Sequence, residues 1–522
     1  MTNTDRSSWS IWDINGIDKN IDKQDTPYVS PTPGKLPRIA LHPVPTNLME
    51  LVHSDPASYR ATLLKIMNYV SATGCNAIMI GGTFEQLDAN LQAVEDLANG
   101  ILITDPIYPA DTAVSGSKDA IPAAGGIIGP IIPPPAVIGG PELGVMIQTA
   151  WLYDSLEHCA HIVSNYKDNR FVKGWMIMDQ PHYWDWGNVV LDDTEEHTYN
   201  RLTVGYKTAT SYSKYHLDEK EKGKNYAVMD QLTMFSLPAS ELREWIGMAE
   251  SYSKYLWALD RLFKPGVWTY SFFPFTNIIS SGIPQTGIST NHNVFYRFLE
   301  LYRKNAADTG KPFWAYCQVE SHQVRDTATG KILYKYPSPD AGMIRFEAFS
   351  ALAYGAQGLM FSRMGMEKNI DNIERLEAPF SWGKPATGSS AATTILRSDV
   401  CGYMKTVNEE IDKCSHIFLG CNCLKTAHTG NLFGQSPAQF PFGCLQCVKA
   451  DGNGVLLSEL QLQDSKATVI VNHDPFHTQK IETTLDDTKK PVLAYPESKH
   501  PTSGTVRTLT LDPGGAIIFT HK

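Results

Sequence analysis

Two stretches of this chain run from apolar residues straight into side chains that could do proton or nucleophilic chemistry. One is Gly174-Trp175-Met176-Ile177-Met178-Asp179-Gln180-Pro181, followed by a cluster of rings at His182, Tyr183, Trp184 and Trp186. The other is Phe313-Trp314-Ala315-Tyr316-Cys317-Gln318-Val319-Glu320, with His322 just beyond. An apolar strand that ends in polar residues delivers them to the mouth of a parallel barrel. Glu320 could serve there as a base or a nucleophile. Gln180 has the shape and hydrogen-bonding reach of a glutamate, but its amide cannot give up and retake a proton at neutral pH.

The elements that must position these residues alternate in type. Short apolar strands and amphipathic helices follow one another from about residue 36 to 415, which predicts a parallel sheet. The expected strands are Leu36–His42, Cys75–Ile80, Gly100–Thr104, Gly174–Met178, Tyr226–Met229, Val267–Phe273, Phe313–Val319 and Gly358–Phe361. Helices are expected around Tyr59–Ala72, Glu85–Ala98, Met146–Asn165, Ala239–Asp260, Val294–Ala306 and Ala341–Tyr354, with a last one ending near Lys413. Eight such pairs predict an α/β fold, a (β/α)8 TIM barrel. An open doubly wound sheet is the alternative, but no Gly-x-Gly-x-x-Gly follows any strand. After Cys414 the helical period disappears. Gly454–Gln461, Ala467–Val471 and Gly515–Phe519 read as strands between turns, predicting a C-terminal antiparallel β-sandwich. The expected division is an N-terminal extension (1–35), a barrel (36–415) and a sandwich (416–522).

Catalytic groups of such barrels sit at the C-terminal ends of the strands. Those positions hold His42, Asp105, Asp179 with Gln180, Asp230, Tyr270 with Ser271, Glu320 with His322, and Arg363. Several have an ordinary explanation. Asp105 precedes Pro106 and could form a turn, Asp230 could cap a helix, and His42 could bond to a neighbouring strand end. Glu320 stands apart because strands four and seven face each other across the barrel, so residues 180 and 320 can flank one substrate. Two carboxyl groups about 5–5.5 Å apart are the arrangement for double displacement at a glycosidic carbon.

Composition narrows the classes further. The chain has 522 residues, a formal net charge of −10 and no Lys/Arg-rich block, which argues against nucleic-acid binding. The uncharged run from Ala123 to Gly140 is long enough to raise the question of a membrane span, but its prolines and glycines predict a loop that lines a cleft, or makes an oligomer or membrane contact. Nine cysteines leave at least one unpaired. Cys421-Asn-Cys423 and Cys444-Leu-Gln-Cys447 could offer thiolates to zinc, yet Cys-x-Cys is not usual zinc spacing, and buried free thiols are the expectation. The polar start Met1-Thr-Asn-Thr-Asp has no apolar core of a signal peptide, so the chain is expected to be cytoplasmic, or periplasmic or secreted after trimming. A homo-oligomer is compatible with all of this.

On these residues the chain resembles the clan-A retaining glycoside hydrolases. In that clan the acid/base follows strand four and the nucleophile ends strand seven. The resemblance covers the barrel, and the segment from Phe313 to Arg345 with Ala351–Ala356 is similar to family 157 endo-β-1,3-glucanases. It implies Glu320 as nucleophile, position 180 as acid/base and Tyr270 as the group that orients Glu320. It further implies sugar contacts from His182, Tyr183, Trp184 and Trp186, a β-linked oligo- or polysaccharide partner, and no metal or organic cofactor. The departures are Asp179 for the commoner Asn and Gln180 for the acid itself. A Glu→Gln replacement that traps intact substrate would explain the latter. The alternatives are a native Gln in a carbohydrate-binding protein on this scaffold, or Asp179 or Asp185 acting as the acid.

Overall fold

A computed structural model of the chain describes residues 30–101, 140–148, 156–179, 225–231, 266–275, 277–278, 288–326, 328–367, 369, 373–383, 394–430, 437–496 and 506–522. At 156–160, 177–179, 225–231, 270–271, 277–278, 288–291, 293–294 and 333–334 the backbone alone is described.

Eight parallel strands close into a barrel: Arg38–Leu41, Ala77–Ile80, Gly144–Gln148, Val172–Asp179, Asn225–Gln231, Val267–Ser271, Phe313–Gln318 and Leu359–Ser362. Each pairs with its predecessor, and the last pairs with the first at Ile39↔Met360. Alternation along the strands builds two cores, as a pleated backbone must. Ile39, Leu41, Met79, Met146, Met176, Trp314, Tyr316 and Met360 form an inner cluster. Their neighbours Ala40, Ile78, Val145, Ile147, Trp175, Trp268 and Cys317 join the outer core that packs under the helices. Gly358 precedes the eighth strand because a Cβ there would come within 2.6 Å of the Trp314 ring.

Local sequence explains the helix starts. Asp55 caps Pro56–Ala72 by accepting from the Ser58 N–H, with proline in its favoured first position. Thr83 and Gln86 form a reciprocal capping box on Phe84–Ala98. Leu156–Tyr166, Ile288–Thr309, Ala341–Ala353 and Val400–Phe418 follow strands three, six, seven and eight.

The expected third strand is corrected. Gly144–Gln148, assigned from the sequence to a loop and the start of a helix, is the third barrel strand and is buried throughout. A five-residue apolar run fits either period, and only its seat between Ala77–Ile80 and Val172–Asp179 decides. Gly100 instead ends the preceding helix, with its N–H on the Leu97 carbonyl and φ at 76°. Residues 102–104 lie outside the described residues, as do 105–139 and the expected helix 239–260.

The stretch 321–340, which follows the seventh strand, is not a plain loop. It folds into a hairpin, Ser321–Arg325 with Ile332–Tyr336. Ile373–Glu377 pairs with the first arm and Asn277–Ile278 with the second, giving a four-stranded sheet.

Beyond residue 421 two antiparallel sheets face each other. One orders Asn422–His428, Val455–Gln461, Lys466–Asn472, Ala516–His521 and Val492–Tyr495; the other Leu445–Ala450, Gln479–Leu485 and Val506–Leu511. Leu457, Ile470, Phe519, Ile481, Leu485 and Leu511 fill the space between them. The outer face of the first sheet, with Leu456, Leu460, Val469 and Ile518, joins the barrel's own core. Helix Ala341–Ala353 lies at this seam and is buried on nearly every side; most of its residues are apolar, and Arg345 pairs with Glu410. Ser458 Oγ donates to the Ala353 carbonyl across the seam at 2.5 Å.

Among the described residues no helix is long and apolar enough to cross a membrane. No group of His, Cys, Asp and Glu among them could hold a metal ion. Cys421 and Cys444 are buried free thiols, and burial pushes the Cys421 thiol up to about 12.

Candidate functional site

Glu320 lies two residues beyond the seventh strand, buried at the C-terminal mouth of the barrel. The turn that carries it is pinned. The Gln318 N–H donates to Glu347 Oε2 at 2.6 Å, and Gln318 Nε2 donates to the carbonyls of Glu320 (3.1 Å) and Pro337 (2.9 Å). Glu347 comes from the buried helix Ala341–Ala353, and burial raises its carboxyl well above the ordinary range.

The Glu320 carboxylate has two unlike oxygens. Oε2 accepts from Arg375 Nη1 at 3.2 Å. Oε1 has His322 Nδ1 and Arg363 Nε nearby, each at 3.9 Å, outside hydrogen-bonding distance. Arg375 Nη2 donates in turn to Glu367 Oε2 at 2.9 Å, and the same oxygen pairs with Arg363 Nη1. Two carboxylates and two guanidiniums therefore form one chain, Glu320–Arg375–Glu367–Arg363, with no net charge when all are ionised.

Two structural devices assemble that chain. The four-stranded sheet places Arg375 opposite His322, and His322 opposite Tyr336, in one cross-strand row. The His322 and Tyr336 rings stack at 4.2 Å, and Tyr336 belongs to the inner barrel cluster. The neighbouring positions Gln323, Arg325 and Glu374 bond among themselves. The second device is the exit of the eighth strand. Arg363 and His42, at the ends of adjacent strands, both have left-handed backbones, with φ at 53° and 41°. For residues other than glycine this costs about 1–3 kcal/mol each and clusters at functional sites. The turn is closed by hydrogen bonds from Met364 N to the Leu41 carbonyl and from Gly365 N to the His42 carbonyl, both 2.9 Å. Gly365 has no room for a Cβ, which would sit 2.6 Å from the Val44 carbonyl carbon.

Burial and charge divide the titrating groups. Burial raises the Glu320 carboxyl; Arg363 and Arg375 oppose that rise, and Glu367 adds to it. Glu367 is also desolvated, but Arg363, Arg375 and His42 outweigh burial and hold it below the ordinary value. Two nearby carboxyls pushed in opposite directions are a pattern found where proton and nucleophile roles separate. His42 is lowered to about 4, chiefly by burial, with Arg363 adding and Glu367 opposing. His322 is lowered to about 3 by burial and then by Arg375 and Arg363. Both rings are neutral at neutral pH.

Of the residues expected from the sequence, the structure brings His42, Glu320, His322 and Arg363 into this one cluster. Asp179, Asp230 and Tyr270 are at the C-terminal ends of strands four, five and six, with backbone alone described. Asp105, Gln180, His182, Tyr183, Trp184, Asp185 and Trp186 lie outside the described residues. Arg375 and Glu367 went unread from the sequence. The alternation Ile373-Glu-Arg-Leu-Glu377 marks a strand, but a partner 55 residues away leaves no local trace.

No protein-family model matches the chain, and no curated protein matches it. Among solved structures it is similar to Amy13B of Eubacterium rectale, at 11% identity and TM-score 0.42 over 95% of this chain and 97% of that one. It is similar to a β-glucosidase of Thermotoga maritima in complex with noeuromycin, at 8% identity and TM-score 0.39 over 72% of this chain and 98% of that one. It is also similar to Gas2p of Saccharomyces cerevisiae in complex with laminaripentaose, at 9% identity and TM-score 0.36 over 72% and 65%. Likenesses at this level do not bear on function.

Proposed function

We propose that this chain is a retaining glycoside hydrolase acting on a β-linked glycan. In this reading Glu320 is the nucleophile and position 180 the acid/base. The observation that carries it is the asymmetry of the Glu320 carboxylate: buried at the barrel mouth, engaged on Oε2, and without a hydrogen bond on Oε1 among the described residues. Oε1 attacks the anomeric carbon while the bond to the departing oxygen breaks, leaving a glycosyl ester on Glu320; water later releases the sugar. An acid must protonate a sugar leaving group, and Gln180 cannot. The chain as it stands therefore binds substrate and turns it over poorly.

A β-glucan cleaved internally is the substrate that best fits the family 157 resemblance. His182, Tyr183, Trp184, Trp186, Asp105, Asp179 and Asp230 would supply sugar contacts, and Tyr270 would orient Glu320. The Gln180 side chain favours one competing reading, a carbohydrate-binding protein on the same scaffold.

The test compares the chain with its Gln180→Glu variant on β-1,3-, β-1,4-, β-1,6- and β-1,2-linked glucans. General acid catalysis predicts a gain of about 10²–10⁴-fold in oligosaccharide release for the variant. No release from either, with binding to one glucan retained, would favour the binding protein.

A further inference from the structure

The proposed chemistry needs Glu320 ionised and aimed, although it sits where water cannot solvate it. We infer that Arg375 is the positioning residue for Glu320, and that Glu367 holds Arg375 in place. This rests on the reading of Glu320 as nucleophile.

The geometry supports it in three ways. Arg375 uses its two terminal nitrogens on two different carboxylates, Nη1 on Glu320 Oε2 at 3.2 Å and Nη2 on Glu367 Oε2 at 2.9 Å. A guanidinium gripped at both ends cannot swing away, so the carboxylate docked on it is fixed in rotation. Its side chain is only 6% exposed and that of Glu320 5%, so the pairing is poorly screened by water. Occupation of Oε2 also selects Oε1 as the attacking atom. When Oε1 bonds to the anomeric carbon, the bond to the leaving oxygen breaks and that oxygen takes the electron pair. The charge leaves the carboxylate while Oε2 becomes the ester carbonyl, still facing Nη1.

Arg375 reaches the site on a strand that belongs to the added sheet rather than to the barrel. Its register opposite His322 fixes its distance from Glu320, because both His322 and Glu320 lie on the segment leaving the seventh strand. The charged and titrating groups around Glu320 are Arg375 from Ile373–Glu377, Arg363 and Glu367 from the exit of strand eight, and His322 from the hairpin. His42 faces Glu367 from strand one, and Glu347 lies beneath, on the Gln318 amide.

The experiment uses the chain as it exists with 2,4-dinitrophenyl β-glycosides of β-linked gluco-oligosaccharides. Their leaving group departs without a proton, so the first-turnover burst of dinitrophenolate reports the attack by Glu320 despite Gln180, while the slow hydrolysis that follows leaves the glycosyl ester in place. Labelling is located by the mass of the peptide containing residue 320. For Arg375→Met the rate of that burst at saturating substrate is expected to fall on the order of 10²-fold, as for a misplaced reacting group. The acidic limb of its pH profile should move up, since a positive neighbour is lost. Arg375→Lys should return that limb towards the parent while recovering only part of the rate, because it restores charge without the two-handed grip. Glu367→Gln should slow the step but move the limb down, since a negative neighbour is lost. Opposite shifts from two residues in one chain of ion pairs are not expected from a general loosening of the fold. If Arg375→Met does not fold, the lysine and glutamine variants carry the test. Parent-like rates and limbs in those variants, with Glu320 still labelled, would overturn the inference alone. Absence of label on Glu320 in the parent would overturn the nucleophile and with it the role of Arg375.

Discussion

At the barrel mouth, Glu320, Glu367, Arg363 and Arg375 are packed as a chain of charges. At the seam between the barrel helices and the sandwich, polar groups are buried just as deeply but as neutral rings. There His428 Nε2 meets the Tyr354 hydroxyl at 2.9 Å and His428 Nδ1 meets His473 Nε2 at 3.0 Å. Tyr296 packs edge-on against His428, and His292 lies against Phe346 at 4.6 Å. Burial lowers His292 and His428 to about 3 and holds His473 well below its ordinary value. Neutral rings ask only for hydrogen bonds, and His428 makes one with each of its two nitrogens. Buried charges lose far more solvation and must be paired, and the mouth adds two left-handed residues, His42 and Arg363, to hold its pairs. The seam thus minimises the cost of buried polarity, while the mouth accepts that cost. A costly arrangement retained at the end of barrel strands is what chemistry at that end requires.

The widest separation between the two regions should come from Glu320→Gln, made beside Gln180→Glu. Activity is expected to fall on the order of 10⁴-fold or more, as for loss of a nucleophile. Its midpoint in denaturant should hold steady or rise, because a desolvated carboxyl becomes an amide. Activity near that of the parent would erase the distinction between mouth and seam.

Acid should act on the seam next. The folded-state values of His292 and His428 lie below their ordinary 6.5, so the unfolded chain binds protons more readily. Stability is therefore full above pH 6.5 and declines as pH falls from there towards 3. His42 and His322 at the mouth add to the same decline. Replacement of His292 by Phe should flatten part of it, measured as the thermal midpoint across this range, without changing the pH profile of catalysis. An equally steep decline in that variant would mean that His292 contributes nothing to it.

The smallest change is expected from Tyr354→Phe. It removes one hydrogen bond to His428 and should cost about 1 kcal/mol in urea unfolding, with kinetics untouched. An altered rate would show that the two regions communicate.

Much of this architecture is legible in the chain itself. Seven of the eight barrel strands, Glu320 at the mouth and the strand-rich tail follow from apolar runs ending in polar residues, because burial on both faces leaves that signature locally. The third strand is not legible in the same way, because Gly144–Gln148 is too short for its period to speak. His42, His322 and Arg363 were found by position at strand ends, but their convergence on one carboxylate was not visible. Arg375 and Glu367 end no barrel strand and carry no such local sign. Whether a residue ends a strand is decided by its neighbours in sequence. Which oxygen of Glu320 is engaged, and that Arg375 sits opposite His322, depend on register between segments about 50 residues apart, and only the closed barrel with its added sheet sets that register.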